Sequence, residues 1–131
     1  TFSGAEVLTE SVSRTKVKFV IENIGEAEGE LIRYLAPRTV EELLRSMPIH
    51  GITATAKDTV YFGTPVKVGS EKPKTQVESG NLAYWPISSA VCIFFSNVKP
   101  YSPVNIIGKI TNNLSMLAHV GSGKRIRMEK T

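Results

Sequence analysis

Hydrophobic positions in this chain recur mostly at every second residue, in short runs separated by Gly, Pro, Asn and Ser. That is the pattern of half-buried β-strands joined by turns. Val17, Phe19 and Ile21 alternate with Lys18 and Glu22 and predict the first strand. Residues 23–29 carry two glycines and read as a hairpin connection, with Leu31 and Tyr34 in the returning strand. Further strands are expected over 52–56 and 59–68, with Pro65 marking a bend or an edge in the second. Residues 82–85 form a short strand stopped by Pro86. Residues 90–95 are apolar without interruption, the mark of a strand buried on both sides. Strands over 104–110 and 126–129 complete the set.

Two segments switch to a helical period. Val40, Leu43, Leu44 and Met47 stand at i, i+3, i+4 and i+7, one apolar stripe that Pro48 ends. Pro37 suits a first helical turn, and Thr39 with Glu42 has the spacing of a capping box. The first helix is therefore expected at about 37–47. Leu114, Leu117 and Ala118 predict a second at about 113–120, before Gly121. Many short strands with two helices favour a closed barrel or a sandwich, the helices covering its open ends. The Ser-, Thr- and Glu-rich residues 1–15 show little apolar period and are expected to be a loose extension of a single domain over 16–131. Residues 69–80, polar and containing Pro73, are expected to form an exposed loop.

Composition changes this picture little. The 131 residues are 41% apolar and 21% charged, ordinary globular usage for one domain. A single cysteine, Cys92, allows no internal disulfide, and no apolar run is long enough to span a membrane. The expectation is a soluble cytoplasmic protein. Its net charge is +4, from 16 Lys and Arg against 12 Asp and Glu. The densest basic run, Lys124, Arg125, Arg127 and Lys130, alternates with Ile126 and Met128. It reads as the wet face of a strand rather than a nucleic-acid surface, so no nucleic acid and no membrane are expected as partners.

Candidate chemistry is sparse. Asp58 is the one aspartate, His50 and His119 are distant in sequence, and no nucleophile-elbow motif is present. One Cys and two separated His give no metal-ligand spacing, and Cys92 sits in an apolar run where a thiol packs as a small hydrophobe. No metal and no cofactor are expected. Gly121-Ser122-Gly123-Lys124 fails as a phosphate loop, because Ala118 stands where the first Gly belongs and Arg125 follows the Lys. Tyr84 and Trp85, before Pro86, read as core or barrel-rim residues.

Several motifs together resemble one family. Pro37-Arg38-Thr39-Val40-Glu41, after two strands, is similar to the start of the first cyclophilin helix. Ser89-Ala90-Val91-Cys92-Ile93-Phe94-Phe95 is similar to the cyclophilin strand that carries a Phe-Phe pair. Val104-Asn105-Ile106-Ile107-Gly108-Lys109-Ile110, followed by a short helix, is similar to the end of the family's barrel. Ala83-Tyr84-Trp85-Pro86 and Ser102-Pro103-Val104-Asn105 resemble small prokaryotic cyclophilin-like proteins of uncharacterised function. The resemblance implies a mainly β fold, a cyclophilin-like closed β-barrel capped by two helices.

It also implies what is missing. Cyclophilins speed rotation about X–Pro bonds, against a barrier of about 18–20 kcal/mol, with an arginine that hydrogen-bonds the prolyl nitrogen. Here residues 52–68, where the family carries it, contain no arginine; Lys57 and Lys67 are the cations, and the place of the family's pocket histidine falls on Val104. Phe95 falls on the pocket phenylalanine. The resemblance therefore implies a binding module more than an enzyme. Its groove would be bordered by Phe95, Phe62 and Tyr101 and hold a proline-containing peptide or a small apolar ligand. The alternative is a slow peptidyl-prolyl isomerase, and a third reading is a structural subunit that associates through a sheet edge. The oligomeric state stays open.

Overall fold

The computed structural model describes residues 13–131. The strands are β1 (Arg14–Ile21), β2 (Gly25–Ile32), β3 (Ile49–Ala56), β4 (Thr59–Gly63), β5 (Asn81–Trp85), β6 (Ala90–Phe94), β7 (Asn105–Asn112) and β8 (Arg125–Lys130). A 3-10 turn (Arg33–Leu35) leads into helix α1 (Pro37–Ser46), and α2 (Leu114–Ala118) precedes β8. The strands close into one barrel in the order β1-β2-β7-β5-β6-β4-β3-β8, every neighbouring pair antiparallel. The mainly β, closed-barrel architecture read from the sequence is the one observed. Closure pairs both sides of every strand of the barrel, so these strands leave no open edge for association.

Alternation along the strands fills the interior. Val17, Phe19 and Ile21 of β1 meet Phe62 of β4, Leu82 and Tyr84 of β5, Val91 and Ile93 of β6, and Ile126 and Met128 of β8. Phe19 and Phe62 pack edge to face, ring centroids 6.3 Å apart. Val40, Leu43 and Leu44 of α1 and Leu117 of α2 join the same cluster, so the two helices seal the core.

Several local expectations change. The first strand begins at Arg14, which pairs with Ile32, so the domain starts inside the segment expected to be an extension; residues 1–12 lie outside the described residues. The hairpin turn is shorter than 23–29, because β2 already starts at Gly25. Asn23, at φ 65, makes the left-handed turn, while Gly29 serves the sheet. A Cβ on Gly29 would lie 2.8 Å from the Lys109 carbonyl oxygen, and one on Gly108 would lie 1.8 Å from that of Glu30. These two glycines let β7 lie against β2. Strand β4 ends at Gly63 rather than 68, since Pro65 has no N–H for the ladder. Beyond it the chain is stitched to one buried phenol: the Tyr84 hydroxyl donates to the Val66 carbonyl (2.6 Å) and accepts from Val68 N–H (3.3 Å).

The helix start also differs. Thr39 is not the N-cap of α1; Pro37 stands at its first turn, and no side chain of its own cap residue bonds the helix. Instead the Glu71 carboxylate reaches in from the 69–80 segment. It accepts from Arg38 N–H (3.0 Å), Thr39 N–H (2.9 Å) and the Thr39 hydroxyl (2.8 Å). Buried Asn105 ties the arrangement together, accepting from Glu71 N–H (2.8 Å) and donating to the Thr39 hydroxyl oxygen and the Gly69 carbonyl. Bridges pairing Lys74 with Val104 and Val77 with Val98 fix the rest of the segment. The expected loop is a strap over the barrel wall, anchored at its start.

Burial alone would raise the Glu71 pKa, but the donors from Arg38 and Thr39 and the Arg38 charge outweigh it and hold the carboxyl below its ordinary value. A pKa depressed by folding contributes stability above the unfolded-state value, and that stability is lost as pH falls through the folded value. Glu71→Gln should therefore lower stability near neutral pH by about 1 kcal/mol, as for other lost helix caps. Its urea midpoint should fall less steeply than wild type between neutral and acid pH, and parallel profiles would contradict the assignment. Gly108→Ala should destabilise the barrel by about 3 kcal/mol, whereas Gly63→Ala, with no atom within 4 Å of the added carbon, should leave the thermal midpoint almost unchanged.

Candidate functional site

One sector of the wall is apolar on both faces. All five residues of β6 are buried. Val91 and Ile93 point inward, while Cys92 and Phe94 join Val77, Ala83 and Val104 in a second cluster, flanked by Tyr61, Trp85, Val98 and Ile106. The strap and the segment 96–104 cover part of this outer layer. What they leave open is a pocket of about 580 Å³. Cys92, Phe94, Val104 and Thr59 line it as buried residues, and Tyr61 and Trp85 are half-buried. The Tyr61 and Trp85 rings stand edge to face, centroids 5.8 Å apart. Trp85 is held by donating its indole N–H to the Ser102 hydroxyl. Ile87, 77% exposed, and Tyr101, 99% exposed, stand with Pro100, Lys57 and Lys99 among the remaining lining residues. This is the size and the apolar lining of a small-molecule or side-chain site.

The three residues read from the sequence do not converge there. Tyr101 lines the pocket. Phe62 is fully buried in the interior cluster against Phe19 and faces no open groove. Phe95 packs, half-buried, on the same interior cluster, and the pocket is lined by its neighbour Phe94. Successive strand residues point to opposite faces, so a one-residue difference moves a side chain from one layer to the other. Tyr61 and Trp85 were not singled out as ligand contacts. The signal that could have found them is the doubly apolar β6, which requires a second apolar layer outside the barrel.

Among the described residues the lining carries no carboxylate, imidazole or guanidinium. Its one thiol, Cys92, is pushed by burial up to about 12, so it stays protonated and packs as a hydrophobe rather than attacking. Among the described residues no group of three or more His, Cys, Asp or Glu gathers as metal ligands. No described helix is long and apolar enough to cross a membrane. The Gly121–Lys124 region is a tight connection: the Thr53 hydroxyl donates to the Gly121 carbonyl (2.8 Å) and accepts from Lys124 N–H (2.9 Å). A second, more polar concavity lies across β1, β3 and β8, beside Glu22, His50, Arg125 and Arg127. Its cations are paired, Arg125 with Glu22 at 3.7 Å and Arg127 with Glu129 at 2.8 Å.

The fold and the sequence both find relatives. The hypothetical protein AF2241 from Archaeoglobus fulgidus, known from a solution structure, is 32% identical and superposes with a TM-score of 0.79, covering 91% of this chain and 96% of that one. McbB, solved in complex with tryptophan, shares the fold at 12% identity and a TM-score of 0.75; 88% of this chain matches 44% of McbB. No curated protein matches the chain. The cyclophilin-like family model matches residues 15–129, which is nearly all of the barrel, and the chain belongs to the cyclophilin-like family.

Proposed function

We propose that this protein is a binding module whose ligand site is the outer-wall pocket between Tyr61, Trp85, Phe94 and Tyr101, and that it takes a small apolar ligand or a prolyl side chain. The observation that carries the reading is an aromatic pocket of about 580 Å³ on a wall that is already sealed from inside. The barrel does not need these outer aromatics to close its core. A large aromatic ring at the rim, almost wholly in water, is the residue type that anchors ligands when it is covered. An aromatic and aliphatic lining with a few polar groups around it is the composition of a binding pocket, which supports the binding reading. McbB, solved in complex with tryptophan, is a neighbour at 12% identity over 44% of its length, which supports the architecture alone.

The second reading is a slow prolyl isomerase. Lys57 favours it, as a cation beside the pocket in the strand region where the family carries its arginine. A lysine lacks the planar fork that aims an arginine at a prolyl nitrogen, and losing a preorganised donor typically costs about a hundredfold or more in rate. A coupled assay on a prolyl tetrapeptide should accordingly give rates at or close to the uncatalysed one, and rates near those of ordinary cyclophilins would overturn the binding-module reading.

Trp85 is the one tryptophan of the chain and lines the pocket, so its fluorescence reports occupancy directly. Titration with small apolar fragments and prolyl peptides should change that fluorescence saturably. Tyr101→Ala should weaken binding about tenfold while leaving the thermal midpoint unchanged, because an almost fully exposed ring contributes little to folding. Unaltered affinity in Tyr101→Ala, or no saturable ligand at all, would contradict the site.

A further inference from the structure

The pocket carries a charge pattern that its apolar surface does not require. Lys57, in the β3–β4 turn, and Lys99, in the segment above β6, both line it. Neither appears in a salt bridge among the described residues, and no acid lines the pocket. The nearest acid in sequence, Asp58, is not among the lining residues, and its carboxylate accepts from the Ser96 hydroxyl at 2.9 Å. The concavity across β1, β3 and β8 is the opposite case. It holds two arginines, and each has a glutamate within salt-bridge distance. Positive charge with no salt-bridge partner among the described residues therefore accompanies a pocket with an aromatic, water-shedding lining.

Resting on the reading of this pocket as the ligand site, we propose that its ligand is an apolar acid, with an aromatic or branched body seated against Tyr61, Trp85 and Phe94 and a carboxylate drawn to Lys57 and Lys99. Two ammonium groups with no salt-bridge partner among the described residues raise the local concentration of an anion and disfavour a cation of the same shape. The apolar lining rejects a bare inorganic anion, which gains nothing from the rings. Such a carboxylate belongs either to a small organic acid or to the C-terminus of a peptide that ends in an apolar residue. The chemistry recognised is the same.

The probes are three molecules of one shape: 4-phenylbutyrate, the neutral 4-phenylbutanamide and the cationic 4-phenylbutylamine, titrated against the full chain and followed by Trp85 fluorescence. The acid should bind roughly tenfold more tightly than the amide, and the amine weakest of all; two partly screened charge contacts give a ratio of that order. In the Lys57→Gln, Lys99→Gln double variant, the acid-to-amide ratio should collapse towards one, with the affinity for the amide retained. Both lysines are exposed, so the variant should keep its fold, which an unchanged thermal midpoint verifies. Equal binding of acid and amide to the wild type would overturn the anionic ligand while leaving the apolar pocket in place. Binding of none of the three would overturn both. A further pair, acetyl-Ala-Pro-Phe as the free acid and as the amide, separates the sources. If the peptide acid outranks its amide and also binds more tightly than 4-phenylbutyrate, the carboxylate is a peptide C-terminus; if 4-phenylbutyrate leads, it is a small acid.

Discussion

The contact on which this structure depends is the one that closes the barrel, where β7 is laid against β2 with almost no space between the backbones. At Gly108 a single methyl carbon would lie 1.8 Å from the Glu30 carbonyl oxygen, and at Gly29 one would press on Lys109. The two strands are far apart in sequence, so the pairing must be made by chain segments that bring nothing but backbone to the point of contact. Register shifts near this seam, at Glu28/Gly29 in β2 against β7 and at Leu82/Ala83 in β5 against β7, accommodate the bend. Once the seam is closed, parity along every strand is set, and with it which residues fill the interior and which stand outside.

The outside is where the protein departs from a minimal barrel. Most of the wall presents charged and polar residues to water, such as Lys18 on β1 and Arg125 and Arg127 on β8. The β4–β6–β5 sector does not. It carries a second apolar layer, partly covered by the strap and by the segment 96–104, and the strap is held in place by the Glu71, Thr39 and Asn105 network. That network links the start of α1 to the covering of the outer layer. A buried polar arrangement of this kind is stabilising only while each member keeps its partners. The pocket is the part of the outer layer left uncovered, with Lys57 and Lys99 beside it.

Much of this was legible in the sequence. The period of Val40, Leu43 and Leu44 locates α1, Ile126 and Met128 alternating with arginines describes β8, and the unbroken apolar run of β6 announces burial on both faces. What was not legible depends on partners far along the chain. Thr39 and Glu42 have the spacing of a local cap, but Glu71, 32 residues from Thr39, takes the position, and no local pattern encodes that. Gly29 looks like a turn glycine until β7 is seen against it. The pocket shows the same limit. Tyr101 was within reach as a loop aromatic, but choosing between Phe94 and Phe95 needs the phase of β6, and an all-apolar strand hides its own phase because both faces read alike. Phe62 reads from the sequence as a border of the groove; it lies on β4, but its ring is buried in the interior against Phe19.

The central claim is that the functional surface is the outer aromatic layer and not the barrel interior or the basic groove across β1, β3 and β8. Backbone amide chemical shifts in a ¹⁵N-labelled sample, followed as 4-phenylbutyrate is added, test it most directly. The account predicts that the perturbed amides cluster at residues 57–61, 85–87, 92–94 and 98–104, with Val20, His50 and Arg127 unmoved. Shifts centred on His50, Arg125 and Arg127, or spread through the interior strands with the pocket residues silent, would contradict it.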